Sequence, residues 1–240
     1  MENNYLKLTG RETVAEGTMM FTFEKPSGFE FKPGQAMDLT LINPPETDEE
    51  GNIRTFSIVA APFENFVAIA TRMRDTAFKR VLKNLPFNTE LKYDGPYGSF
   101  TLHNDFSKSA VFLVGGIGIT PFYSMIKTAA KNTSPHKIFL FYSNRRTEDA
   151  AFLTQLDDLQ KDNPNYKLIA TMSEKEKSNF EWKGETGFIN RNMIEKYIPD
   201  TANCIYYSAG PPLMVKAMLN LLNEMGIDED NIRTEEFMGY

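Results

Sequence analysis

Two kinds of hydrophobic spacing divide the chain. Up to about residue 100, apolar positions recur every second residue. Met19, Phe21 and Phe23 alternate with Met20, Thr22 and Glu24, and Met37, Leu39 and Leu41 alternate with Asp38 and Thr40. A period of two marks strands with one wet face. Pro33-Gly34 lies between them as a turn signal. Pro44 to Asn52 is acidic and turn-rich and reads as an exposed loop. Arg54 to Ala60 and Phe66 to Thr71 predict the next strand pair, joined around Pro62 to Asn65. Ala77, Val81 and Leu85, with Phe78 and Leu82, fit one short helix. Leu91 and Tyr93 begin a further strand, which Gly95, Pro96, Tyr97 and Gly98 are expected to break. Many short strands with one helix predict a small antiparallel β-barrel.

The pattern changes after the polar stretch Asn104 to Ser109, taken here as the junction between a domain of residues 1–104 and one of 105–240. Ala110 to Val114 is too short an apolar run for a helix and predicts a strand buried on both faces. Gly115, Gly116 and Gly118 follow. Thr120 and Pro121 then signal a helix start, and Phe122, Met125, Ile126 and Ala129 continue at helical spacing. Strands are expected at Ile138 to Tyr142, Leu168 to Thr171, Ile205 to Tyr207 and around Ile232. Helices are expected at Asp149 to Lys161, Arg191 to Tyr197 and Pro211 to Met225. Phe152, Leu156 and Leu159 form the apolar face of the first. This βαβ alternation predicts an α/β domain with a parallel, doubly wound sheet.

Composition narrows the function. The 240 residues are 41% hydrophobic and 12% aromatic, enough for real cores. No apolar run approaches the ~18 residues of a membrane span, and no secretory signal is read at the N-terminus. The single cysteine, Cys204, excludes an internal disulfide and a four-cysteine cluster within this sequence. The two histidines, His103 and His136, have no metal-ligand spacing, and no metal site is expected. A cytoplasmic setting is the simplest expectation. The net charge of −6 argues against nucleic acid as the main partner.

Three stretches carry candidate chemistry. Strand, glycine turn and helix start from Ala110 to Met125 is a layout that aims backbone N–H groups and a positive helix end at a phosphate. A plain strand-to-helix turn is the alternative. Pro121 excludes the G-x-G-x-x-G dinucleotide fingerprint. Tyr207 to Met214, with Gly210, Pro211 and Pro212, repeats the layout. Arg54, Thr55, Phe56 and Ser57 join a planar cation to an aromatic ring and two hydroxyls. That stretch also reads as an ordinary amphipathic strand.

In this order, Arg54-Thr55-Phe56-Ser57, Gly95-Pro96-Tyr97-Gly98, Gly115 to Pro121 and Ala209 to Met214 resemble the ferredoxin–NADP reductase superfamily, over roughly Phe31 to Tyr240. The resemblance implies an FAD-binding barrel and an NAD(P)-binding α/β domain. Arg54 would pair with the flavin pyrophosphate, Phe56 would stack on the isoalloxazine where the family has Tyr, and Ser57 would bond near flavin N5. Arg72, Arg74, Thr76 and Ala77 fall in the segment that offers N–H groups to the pyrophosphate, with Thr76 the hydroxyl candidate. Gly115, Gly116, Gly118, Thr120 and Pro121 resemble the nicotinamide-dinucleotide loop. Gly210, Pro211 and Met214 match the family's Cys-Gly-Pro-Pro-x-Met, with Ala209 in place of the Cys. Ser143 and Arg145, with no acidic residue directly after their strand, lean toward NADP, with NAD possible. Glu236 is placed near flavin N5, and Phe237 or Tyr240 as a cover for the flavin, a frayed tail being the alternative. The expected function is hydride transfer from NAD(P)H to FAD and onward transfer to a separate acceptor, a ferredoxin, a flavodoxin or a small molecule. The alternative is a flavin-binding sensor or an electron-transfer subunit of a larger complex.

Overall fold

The computed structural model describes residues 4–237, which build two six-stranded sheets. The first is antiparallel. It contains β1 (Tyr5–Ala15), β2 (Thr18–Glu24), β3 (Ala36–Thr40), β4 (Ile53–Ser57), β5 (Phe66–Arg72) and β6 (Glu90–Tyr97), in the order β4-β3-β6-β1-β2-β5. Helix α1 (Ala77–Asn84) lies between β5 and β6. The sheet curls until its edges meet. Just past β4, the Val59 N–H donates to the Ala68 carbonyl of β5 at 2.8 Å. The apolar set of the alternating strands points inward, and Leu6, Leu8, Phe21, Phe23, Met37 and Leu39 are fully buried.

Three local expectations change. Strand β1 lies in the middle of the sheet, paired with β2 and β6, yet only Leu6 and Leu8 alternate cleanly. Its second half, from Gly10 to Thr13, is polar and half-exposed, so periodicity does not flag it. The segments at 54–60 and 66–71 do not pair in the sheet as expected. Strand β4 pairs with β3 and β5 with β2, because the chain between them crosses from one edge of the barrel to the other. Strand β6 bends at Gly95 and runs on to Tyr97, the slip in register opposite Ala36 and Asp38 absorbing the irregularity as a bulge.

The second sheet is parallel throughout. Strands β7 (Ser109–Gly115), β8 (Ile138–Asn144), β9 (Tyr166–Met172), β10 (Glu185–Thr186), β11 (Cys204–Gly210) and β12 (Ile232–Glu236) take the order β10-β9-β8-β7-β11-β12. Every residue of β11 is buried, as expected for a strand covered on both faces. Helices α2 (Ile119–Lys131) and α3 (Leu153–Asp162) pack on the face that shares a core with the barrel. Helices α4 (Arg191–Tyr197) and α5 (Pro212–Glu224) cover the other. Helix α3 starts four residues later than expected. Phe152 takes a left-handed conformation (φ 60°) and stacks its ring on Tyr123 of α2 at 4.4 Å, so this packing displaces the start.

Helix α2 joins the halves. Its buried Ser124 Oγ donates to the Ala60 carbonyl at 2.6 Å, and Lys127 pairs with Glu64 at 2.6 Å. Phe122 packs its ring against Phe100 and Phe112. Beside it, the Glu16 N–H at the β1–β2 turn donates to the Glu148 carbonyl at 2.8 Å, and Arg146 reaches Glu16 at 3.0 Å. Ser124→Ala leaves a buried carbonyl without its donor. It is expected to lower stability by about 1–2 kcal/mol in urea denaturation, with one transition retained. Two separated transitions in the wild type would contradict the shared core.

Candidate active site

The strand order places a topological switch point between β7 and β11, whose following connections leave in opposite directions. Ligands of doubly wound sheets sit outside the carboxyl ends of the strands at such a point. The barrel closes that space from the other side, leaving a cleft of about 570 Å³. The barrel contributes Arg54, Thr55, Phe56, Ser57, Arg72, Arg74, Thr76 and Lys79, and the second sheet contributes Ile117, Thr120, Glu235, Glu236 and Phe237. A second crevice of about 570 Å³ takes in Tyr123, Lys127 and Glu64, but none of the candidate site residues.

On the barrel side, β4 holds its residues by pairing with β3, Ser57 opposite Ala36 and Phe56 opposite Met37. Phe56 is buried, with its ring 5.9 Å from that of Phe78 on α1. The Thr55 hydroxyl donates to Asp38 at 2.5 Å, and the same carboxylate oxygen accepts from the Tyr97 hydroxyl. Arg54 bonds the Glu50 carboxylate at 2.6 Å, lies 3.6 Å from Asp48, and stacks over the Phe78 ring. Thr76 caps α1, its Oγ1 accepting from the Lys79 N–H at 3.4 Å. The Ala77 N–H at that helix end donates to Asp48 Oδ2 at 2.8 Å.

On the sheet side, the two glycine turns touch. A Cβ on Gly118 would collide with the Ala209 carbonyl, and one on Gly115 with the Met214 sulfur. Close approach of the turns to each other is therefore one physical reason for glycine here, beside the phosphate approach considered from the sequence. Gly116 needs glycine for its conformation (φ 52°). The Thr120 hydroxyl donates to the Ile117 carbonyl at 3.1 Å. Pro121 lies inside the first turn of α2, and Pro211 caps α5 beside Gly210 and Met214. The Phe237 N–H donates to the Gly210 carbonyl at 3.0 Å, which carries the chain end into the cleft. Ser143 and Arg145 stand apart from it at the end of β8. Arg145 is largely exposed, 4.0 Å from Asp149, whereas Arg146 pairs with Asp149 at 3.0 Å. Tyr240 lies outside the described residues.

Two cleft residues were not singled out from the sequence. Lys79 sits among Arg54, Arg74 and Glu50, and burial, then the neighbouring arginines, push its pKa down to about 8. Glu235 is the inward residue of β12, whereas Glu236 is exposed. Its Oε2 is buried without a hydrogen-bond partner among the described residues, and burial pushes its pKa up to about 7. The two-residue period of β12 is the signal that separates these neighbours. Among the described residues no cluster could hold a metal ion, and no helix is long and apolar enough to cross a membrane.

Residues 112–220 match the family model described as "Oxidoreductase NAD-binding domain". A ferredoxin NADP+ reductase from Neisseria gonorrhoeae, solved with bound FAD and NADP, superposes with a TM-score of 0.79 at 20% identity, over 97% of each chain. The chain belongs to the ferredoxin–NADP reductase superfamily. Within this superfamily, a Na(+)-translocating NADH-quinone reductase subunit of Methylococcus capsulatus is 34% identical over 65% of the chain and 39% of its own length. The glycine betaine monooxygenase reductase subunit of Chromohalobacter salexigens is 27% identical over 95% of the chain and 61% of its own length. The chain thus spans less than two thirds of either relative. What carries over from the superfamily is the placement of the cleft between barrel and sheet.

The raised pKa of Glu235 has a testable sign. The unfolded carboxyl ionises near its ordinary 4.5, and the folded one only near 7. The folded state is therefore favoured by up to about 3 kcal/mol at low pH, and that advantage is lost between pH 4.5 and 7. In urea denaturation across this range, Glu235→Gln should gain stability relative to the wild type as pH rises. Parallel curves for the two proteins would remove the raised pKa.

Proposed function

We propose that the chain is a flavoprotein oxidoreductase that passes hydride from NADH or NADPH to FAD, and electrons from there to a separate acceptor. The observation that carries this is one cleft at the switch point, lined from the barrel by Arg54 to Ser57 and from the sheet by Thr120 and Glu235 to Phe237. Residues 1–104 are assigned to the flavin and 105–240 to the coenzyme.

The donor set fits a flavin dinucleotide. Arg54, Arg74 and Lys79 suit a diphosphate, Phe56 offers a ring to a flat ligand, and Glu235 holds an orphaned carboxyl oxygen in the cleft. Bound FAD supplies the hydride-accepting and electron-carrying chemistry. The protein's part is alignment and electrostatics. Arg54 anchors the diphosphate, and the hydroxyls of Thr55, Ser57 and Thr76 offer hydrogen bonds along the same wall, beside Arg72 and the Ala77 N–H. Gly115, Gly116, Gly118 and Pro121, with Gly210, Pro211 and Met214, shape the coenzyme seat, where Thr120 faces the cleft. Glu235, with a pKa near 7, can hold or release a proton at its carboxyl near neutral pH, with Glu236 at the mouth. Phe237 shields the seat from water. Ser143 and Arg145 are assigned to the ribose end of the coenzyme.

The relatives are named as subunits, one of an NADH-quinone reductase and one of a monooxygenase reductase, which supports a protein acceptor and the reading as an electron-transfer subunit. Turnover with ferricyanide by the isolated chain separates an independent reductase from a subunit that works only in its complex. Two substitutions test the residue assignments. Arg54→Ala is expected to weaken FAD binding by about tenfold or more in a fluorescence titration, through loss of charge-assisted hydrogen bonds. Arg145→Ala is expected to raise the KM for NADPH more than that for NADH. Unchanged FAD affinity in the first variant would remove Arg54 from the flavin seat, and equal effects on both coenzymes in the second would remove Arg145 from the phosphate seat.

A further inference from the structure

The acidic loop from Pro44 to Asn52 does more than connect β3 to β4. It folds back over the barrel end of the cleft and places its own anions on groups suited to a diphosphate. Asp48 Oδ2 accepts from the Ala77 N–H at the start of α1, at 2.8 Å. Oδ1 of the same carboxylate lies 3.6 Å from the Arg54 guanidinium. Glu50 takes that guanidinium at 2.6 Å. Farther along α1, Glu46 receives two hydrogen bonds from Arg80, at 3.0 and 2.6 Å, and clamps the loop to the helix. The Ala77 N–H also holds the Asp48 carboxyl below its ordinary range.

The cleft retains more positive charge than the loop neutralises. Arg74 and Lys79 line it, and among the described residues neither has an ion-pair partner. A dianion would meet Arg54, Arg74 and Lys79 together. The loop's two carboxylates reach only Arg54 and the helix end.

We propose that this loop is a built-in stand-in for the flavin's diphosphate: Asp48 and Glu50 hold the seat until FAD displaces them, so that flavin loading and release of the loop are one exchange. This rests on the flavin reading above. It follows that the loop lowers flavin affinity, because an anion leaving a helix end and an arginine must be replaced by the incoming one. A loop that instead braced Arg54 for the flavin would raise the affinity.

The test uses the full chain. Asp48→Asn keeps the shape and removes the charge, and Glu46→Gln loosens the clamp on Arg80 outside the cleft. Each is titrated with FAD by fluorescence, and with ADP as a diphosphate lacking the flavin ring. In parallel, cleavage of the loop by a glutamate-specific protease is timed with and without ADP. Both variants are expected to bind FAD about fivefold more tightly than the wild type, and ADP should speed cleavage at Glu49 and Glu50 in the wild type. Weaker or unchanged FAD binding in both variants, or cleavage slowed or unaltered by ADP, overturns the exchange while leaving FAD binding in place. Failure of the wild type and both variants to bind either FAD or ADP overturns the flavin reading and this proposal with it.

Discussion

The arrangement depends on how α2 is seated. The helix begins at the glycine turn of the parallel sheet and runs along the barrel, fastened there by the Ser124–Ala60 hydrogen bond and the Lys127–Glu64 pair. Its first turn therefore cannot shift without moving the barrel, and Thr120 is held facing the strand that carries Arg54 to Ser57. A site shared between two sheets needs such a brace, because inter-domain contacts otherwise permit relative motion. The cleft is narrow and two-sided for this reason. The collision that any Cβ on Gly118 would have with Ala209 shows how tightly the two ligand-facing turns are then packed.

The cleft gathers unlike electrostatic environments in one space. At its barrel end lie cations, one of them, Lys79, with a lowered pKa. At its sheet end lies a carboxyl, Glu235, that burial keeps protonated more readily. These suit the two ends of an extended dinucleotide, a charged phosphate at one and a ring whose chemistry involves hydride and protons at the other. The aromatic surface between them comes from Phe56, in a position where the wider superfamily has Tyr. That substitution removes a hydroxyl and keeps the ring face.

Much of this was legible in the sequence, and the limits have physical causes. The parallel sheet could be read because its strands are short apolar runs between helices of regular period. Helix α1 could be read from Ala77, Phe78, Val81 and Leu82, all of which are buried. Strand β1 could not, because its outer half is polar. The partners of β4 and β5 could not, because pairing across a barrel is set by closure of the whole sheet. Within the site, Arg54 to Ser57 were visible as a motif. Lys79 emerges only once α1 is packed, and Glu235 only once the face of β12 is known. Asp48 looked like part of a solvated loop, and only the fold brings it to Ala77 and Arg54.

The central claim is that barrel and sheet together hold a flavin where a nicotinamide coenzyme can reach it. An anaerobic titration of the FAD-loaded chain with NADH or NADPH tests it most directly. The account predicts a yellow protein whose visible flavin band bleaches with about one equivalent of coenzyme per flavin. A chain that takes up no FAD, or whose bound FAD stays fully coloured in excess coenzyme, would contradict it.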